Sequence, residues 1–153
     1  MMTTAALFTQ LAVATAMVAL TVATHLIGLT MLLWLLRRHR LLLSGSNAVL
    51  HDASGILTAT FGLFFLHAIE IWAYAALYEL IGALPDFDTA LYFSTSTYTT
   101  IGYGDVILPR TWRVLGAIEG ANGVILLGWS TAFFVTIVGR MRFVERELEY
   151  HPR

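Results

Sequence analysis

In a chain of 153 residues, 58% are hydrophobic and only 12% charged, with a mean hydropathy of +0.73; soluble domains carry about 25% charged residues, so an ordinary water-soluble core is excluded. The length leaves room for one compact membrane domain, and a net charge of −1 gives no basis for nucleic-acid binding. With no cysteine in the chain, neither a disulfide framework nor thiolate chemistry is available.

Met1 to Leu36 holds no side chain charged at neutral pH, and its apolar run from about Leu11 to Leu36 exceeds the roughly 20 residues that cross a bilayer. A secretory signal needs a basic start, a shorter apolar centre and a small-residue cleavage site. This run instead ends in Arg37-Arg38-His39-Arg40, so residues 1–40 read as a retained transmembrane helix. Thr15, Ala19, Ala23 and Thr24 fall near helical spacing and suit close packing on a neighbouring helix; a lipid-facing anchor is the alternative. A linker over 41–52 leads to a second span over 53–80, and a third over 112–138 ends beside Arg140 and Arg142. Short Arg-rich loops face the cytoplasm, which places the Arg37–Arg40 cluster and the Arg140, Arg142, Arg146 tail inside, the amino terminus outside and the hairpin 82–110 on the outer face. Arg140 to Arg153, which includes the tail 143–153, alternates charge with apolar residues and suits a short cytoplasmic helix bundling fourfold on Phe143 and Leu148. The fold class predicted is an all-α membrane protein of three crossings.

Within the hairpin, Pro85-Asp86-Phe87-Asp88 reads as a turn and a helix start, with Asp86 or Asp88 as the cap. The helix runs over 89–99, re-enters the membrane and presents there the partial negative charge of its carboxyl end, which favours a cation. It leads into Thr99-Thr100-Ile101-Gly102-Tyr103-Gly104-Asp105. The two glycines accept backbone angles that a Cβ resists, so successive carbonyls can turn toward one axis. One strand cannot encircle an ion, whereas four copies can replace its water shell. Irregular backbone at membrane depth is tolerable when four subunits enclose it.

The Thr pair, the Gly-x-Gly triplet, the acid after it and the long apolar segments on both sides together resemble the pore module of the tetrameric potassium-channel superfamily, over about Ala53 to Arg142. The first 50 or so residues lie outside that module. The resemblance implies a homotetramer, each chain meeting three identical subunits among membrane lipids, with K+ as permeant ion and no cofactor. It implies ion sites at the carbonyls of Thr100, Ile101, Gly102 and Tyr103, the Thr100 hydroxyl closing the innermost, and an outer mouth shaped by Gly104 and Asp105. Where many members carry a carboxylate sharing a proton with the acid after the second glycine, this chain has Ser96, which leaves the partner of Asp105 open. Paired tryptophans are replaced by Tyr92 and Phe93. With Tyr98 these aromatics pack around the filter, or else serve as interfacial belt residues. Gly123 is the nearest match to the family's hinge glycine; close helix contact behind the filter is the alternative.

Four polar residues fall at membrane depth, where each is costly and a functional candidate: His67, Glu70, Glu119 and Asn122. His67 and Glu70 share a helix face and suit either a proton-sensitive gate or a satisfied pair pinning the second helix to the first or third. Glu119 either faces the pore and concentrates cations or, the reading preferred here, lies behind the filter and supplies the acid that Ser96 lacks. Gly116-x-x-x-Gly120 is a close-packing spacing. No arginine ladder suggests a voltage sensor, and no catalytic constellation supports an enzyme. The function predicted is passive, potassium-selective conduction across a prokaryotic plasma membrane. A less selective cation channel, or a non-conducting scaffold, auxiliary or sensor subunit that keeps the hairpin, stands against it.

Overall fold

A computed structural model describes residues 4–42 and 48–139, with side chains described over 4–38 and 53–139. Four helices follow in order: α1 (Thr4–Leu42), α2 (Ala48–Leu80), α3 (Phe87–Tyr98) and α4 (Arg113–Gly139). Three stretches, Thr4–Arg38, Ala53–Leu80 and Arg113–Gly139, are long and apolar enough to cross a membrane, and the described residues contain no strand. This is an all-α membrane protein. The 12 residues of α3 rise only about 18 Å, short of the roughly 30 Å hydrocarbon thickness, so α3 is too short to cross.

Helices α3 and α4 lie within two residues of their expected bounds, but α2 begins at Ala48 rather than Ala53, because no Pro or Gly between them stops the helix. The linker expected over 41–52 is thus helical at Leu41, Leu42 and from Ala48 onward, while 43–47 lie outside the described residues. So do Arg140, Arg142, Arg146 and the tail with Phe143 and Leu148.

Helix α3 packs between α2 and α4, and α1 packs against both of those. The buried face of α1 is Gln10, Ala14, Met17, Thr21, His25 and Leu32, a three-to-four-residue spacing that makes one stripe. This corrects the expected packing face: Thr15, Ala19 and Ala23 are exposed on the protomer and Thr24 is half-buried. The reason is polar pairing. Gln10 Oε1 accepts from the Val114 amide at 3.2 Å, and Thr21 Oγ1 accepts from Asn122 Nδ2 at 2.8 Å, and in an apolar medium such groups must face a partner. Gly28 and Gly62 let α1 and α2 approach, since a Cβ at either would run into the side chain of Leu66 or Leu32. Helix α1 is therefore integral to the packed protomer.

At the end of α2, Gly82 takes φ +64, and the amides of Gly82 and Ala83 bond back to the carbonyls of Glu79 and Tyr78, a glycine stop that satisfies the last carbonyls. Asp86 then caps α3, its Oδ1 accepting from the Thr89 amide at 2.8 Å.

Candidate functional site

The helical path ends at Thr99, whose amide still bonds to Thr95, because Thr100, Gly102 and Gly104 take φ of 64, 59 and 78. Left-handed geometry suits the glycines, but at a β-branched threonine it costs on the order of 1–3 kcal/mol and persists only where the surroundings hold it. Contacts from behind hold the strip. The Thr100 amide donates to the Thr97 carbonyl at 3.0 Å, the Gly102 amide to the Ser96 carbonyl at 3.1 Å, and the Tyr103 amide to Ser96 Oγ at 3.4 Å. A trans peptide plane sets N–H and the preceding C=O on opposite sides. The carbonyls of Ile101 and Gly102 therefore point away from α3, onto one common side. Residues 100–105 are exposed on the protomer, with Ile101 at 54% and Tyr103 at 70%.

At the outer end Tyr92 Oη donates to Asp105 Oδ2 at 2.7 Å, and the Val106 amide bonds to Oδ1 at 3.1 Å. The Tyr92 hydrogen bond holds the Asp105 carboxyl below the usual carboxylate range and pushes the Tyr92 phenol up. The open question of the Asp105 partner is answered by Tyr92, while Ser96, buried, braces Tyr103 instead. Asp86 is likewise held low by the Thr89 amide that it caps.

Behind the strip, α4 meets α3 along its glycines. A Cβ at Gly116 would lie 2.9 Å from Leu108 Cδ1 and 3.3 Å from Phe93 Cζ, one at Gly120 would lie 3.4 Å from the Thr97 carbonyl oxygen, and one at Gly123 would collide with the Tyr98 carbonyl. Phe93 stands edge-on to Tyr78 at 5.3 Å. Glu119 is fully buried against α3. Its Oε2 accepts from Tyr78 Oη at 2.6 Å and its Oε1 lies 2.5 Å from Ser94 Oγ. It faces α3, the side preferred from the sequence, but it does not take the place of a Ser96 carboxylate: its partners are Ser94 and Tyr78. Asn122 donates to Thr21 and, at 3.3 Å, to Tyr74 Oη.

A second polar centre lies at the carboxyl end of α3. The His67–Glu70 pair is present at 3.1 Å, within a larger cluster. His25 Nδ1 lies 2.9 Å from Glu70 Oε1, Tyr98 Oη donates to Glu70 Oε2 at 2.5 Å, and His67 Nδ1 lies 3.0 Å from Tyr98 Oη. Ser130 Oγ lies 2.8 Å from His67 Nε2 and 3.5 Å from His25 Nε2. Side chains of four helices thus meet in this network, three of them at Glu70 and α4 through Ser130, with Tyr98 buried as part of it. Sequence reasoning missed His25, Gln10 and Ser130. For His25 a signal existed, an imidazole within an otherwise uncharged apolar run; Ser130 carried none.

The family described as ion channel matches residues 56–140, more than half of the chain. Neither a curated protein nor a solved structure matches it.

Proposed function

This chain belongs to that ion channel family, and we propose that it is a potassium-selective channel in which four identical copies bring residues 100–104 around one axis. The observation that carries this reading is the strip's geometry: amides of Gly102 and Tyr103 both fixed on Ser96, the carbonyls of Ile101 and Gly102 turned the other way, and left-handed φ at every second residue from Thr100 to Gly104. A lone protomer leaves this strip uncovered, as expected of a surface completed by three further copies.

Potassium sheds water at the mouth, passes between cages built from the carbonyls of Tyr103, Gly102, Ile101 and Thr100, and is driven on by the next ion. The Thr100 hydroxyl closes the innermost cage. Asp86, Asp88 and Asp105 raise the cation concentration outside, and the carboxyl end of α3 contributes its partial negative charge from within. Tyr92, Phe93, Ser96 and Glu119 hold the strip and the helix behind it. The orientation that fits the arginines has the amino terminus outside, in a prokaryotic plasma membrane.

The test is flux from liposomes holding the purified full-length protein. Barium-blocked potassium flux with sodium largely excluded is expected. Equal sodium flux leaves a less selective cation channel, and no flux leaves a scaffold; either outcome overturns the proposal.

A further inference from the structure

The cluster behind the carboxyl end of α3 gathers two imidazoles, a carboxylate and a phenol from three helices. His25 comes from α1, His67 and Glu70 from α2, and one ligand atom from each lies within 4.8 Å of the other two. His25 and Glu70 are fully buried and His67 nearly so. One imidazolium would neutralise Glu70, yet two imidazoles converge on its carboxylate, one on each oxygen, at 2.9 and 3.1 Å. The Tyr98 phenol is a fourth ligating group in the same shell, 2.5 Å from Glu70 and 3.0 Å from His67.

With both histidines neutral, the Glu70 carboxylate leaves a negative charge at membrane depth, where it is costly. One positive charge completes the cluster. A proton on one imidazole would supply it, that Nε2–H donating to Ser130 Oγ while the hydroxyl donates to the other Nε2, at 2.8 and 3.5 Å; a metal cation held by the same side chains would supply it in the proton's place.

We propose that His25, His67, Glu70 and Tyr98 form a structural zinc site. Two imidazoles and two oxygens are a donor set that Zn2+ accepts in tetrahedral geometry, with bonds of about 2.0–2.2 Å and donors therefore about 3.3–3.6 Å apart, so the side chains spread slightly from their hydrogen-bonded spacing of 2.5–3.1 Å to admit the ion. On binding, each Nδ1 gives its lone pair to the metal and its proton appears on Nε2. Both Nε2–H groups then donate to the two lone pairs of Ser130 Oγ, the second-shell bond that metal-bound histidine favours. The Tyr98 proton is released to solvent, so that one carboxylate and one phenolate balance the dication and no net charge remains. The ion ties α1 and α2 to the last residue of α3, next to the strip, so it sets rigidity and takes no part in conduction. The inference stands independently of potassium selectivity.

The experiment uses tag-free full-length protein in detergent, stripped with EDTA and titrated with Zn2+ and with Co2+. About one metal ion per chain, visible Co2+ bands of tetrahedral form, and a higher thermal midpoint with Zn2+ than with EDTA are expected. Ser130→Ala, which keeps every ligand, is expected to bind Zn2+ about 10–100-fold more weakly, and His25→Gln to lose the Co2+ bands. Wild-type protein that binds no metal and whose midpoint ignores Zn2+ overturns the proposal. A midpoint that follows pH but not metal assigns the cluster to a proton, and overturns it as well.

Discussion

Residues 100–105 lie exposed on the protomer and are tied to their own chain mainly through Ser96 and Thr97, whereas α3 just before them has a fully covered inner face, with Ala90, Ser94 and Tyr98 at 0% exposure. The strip has one bound side and one open side. Helix α3 is held by glycine contacts from α4, by Glu119 through Ser94, and by Glu70 through Tyr98. Under the proposed function such an arrangement separates two tasks: the strip sets what passes, and the wall behind it sets how firmly the strip is held. Substitutions on the open side should therefore alter ion flow at nearly constant stability, and substitutions behind should do the reverse.

Gly102→Ala has the largest expected effect on flow. Its φ is +59, and no atom lies within 4 Å of where a Cβ would stand in the protomer, so the penalty is backbone strain of roughly 1–2 kcal/mol. That is small for a folded chain and large for a cage that must match an ion. Potassium selectivity or conduction is expected to be lost while membrane insertion persists, measured by flux and by protease protection. Wild-type selectivity in this variant would end the filter assignment.

Gly123→Ala probes the wall. A methyl there meets the Tyr98 backbone rather than a flexible side chain, so α4 must move outward, and overpacking of this kind costs about 1–3 kcal/mol. A lower thermal midpoint with potassium preference retained is expected. A variant as stable as wild type would mean that α4 and α3 are less closely packed, and would return Gly123 to the hinge reading.

Much of this architecture was legible because a bilayer imposes a crude requirement: stretches of about 20 apolar residues announce α1, α2 and α4 whatever they pack against. The strip was legible because Gly102 and Gly104 sit where left-handed backbone is needed. Which face of α1 turns inward was not. Small residues at Thr15, Ala19 and Ala23 and polar ones at Gln10, Thr21 and His25 compete for that role, and the outcome depends on partners far along the chain, Val114, Asn122 and Glu70. Pairing of this kind leaves no periodic trace, so the His67–Glu70 pair could be read from its spacing, while His25 and Ser130 could not be joined to it. Helical spacing likewise gave no reason to send Glu119 to Ser94 rather than to the neighbourhood of Ser96.

The two buried carboxyls sharpen the comparison within the wall. Glu119 relies on two hydroxyls, Tyr78 and Ser94, while Glu70 keeps two imidazoles even without its phenol. Tyr78→Phe leaves Glu119 Oε2 without that donor and is expected to cost about 1–3 kcal/mol. Tyr98→Phe should cost less, below about 1 kcal/mol. Denaturant midpoints of the two variants in detergent with EDTA, where no metal is bound, give the order, and a reversed order would mean that the phenol of Tyr98 is the main support of Glu70.

Tyr92→Phe carries the smallest expected change and the most specific one. The Tyr92 hydroxyl holds the Asp105 carboxyl below its usual range, so the charge of Asp105, and the cation concentration it maintains at the mouth, is present above the ordinary carboxylate pKa and is lost only as pH falls through the depressed value. Without the hydroxyl the carboxyl protonates at higher pH. Flux measured against external pH should therefore begin to fall at a higher pH in the variant, with flux at neutral pH and the thermal midpoint unchanged, because both groups are exposed and contribute little to the fold. An identical onset in both proteins would mean that the Tyr92–Asp105 bond is not kept when four strips face one another. A lowered midpoint would show that the mouth is part of the wall, and the division between the two regions would have to be drawn beyond Asp105.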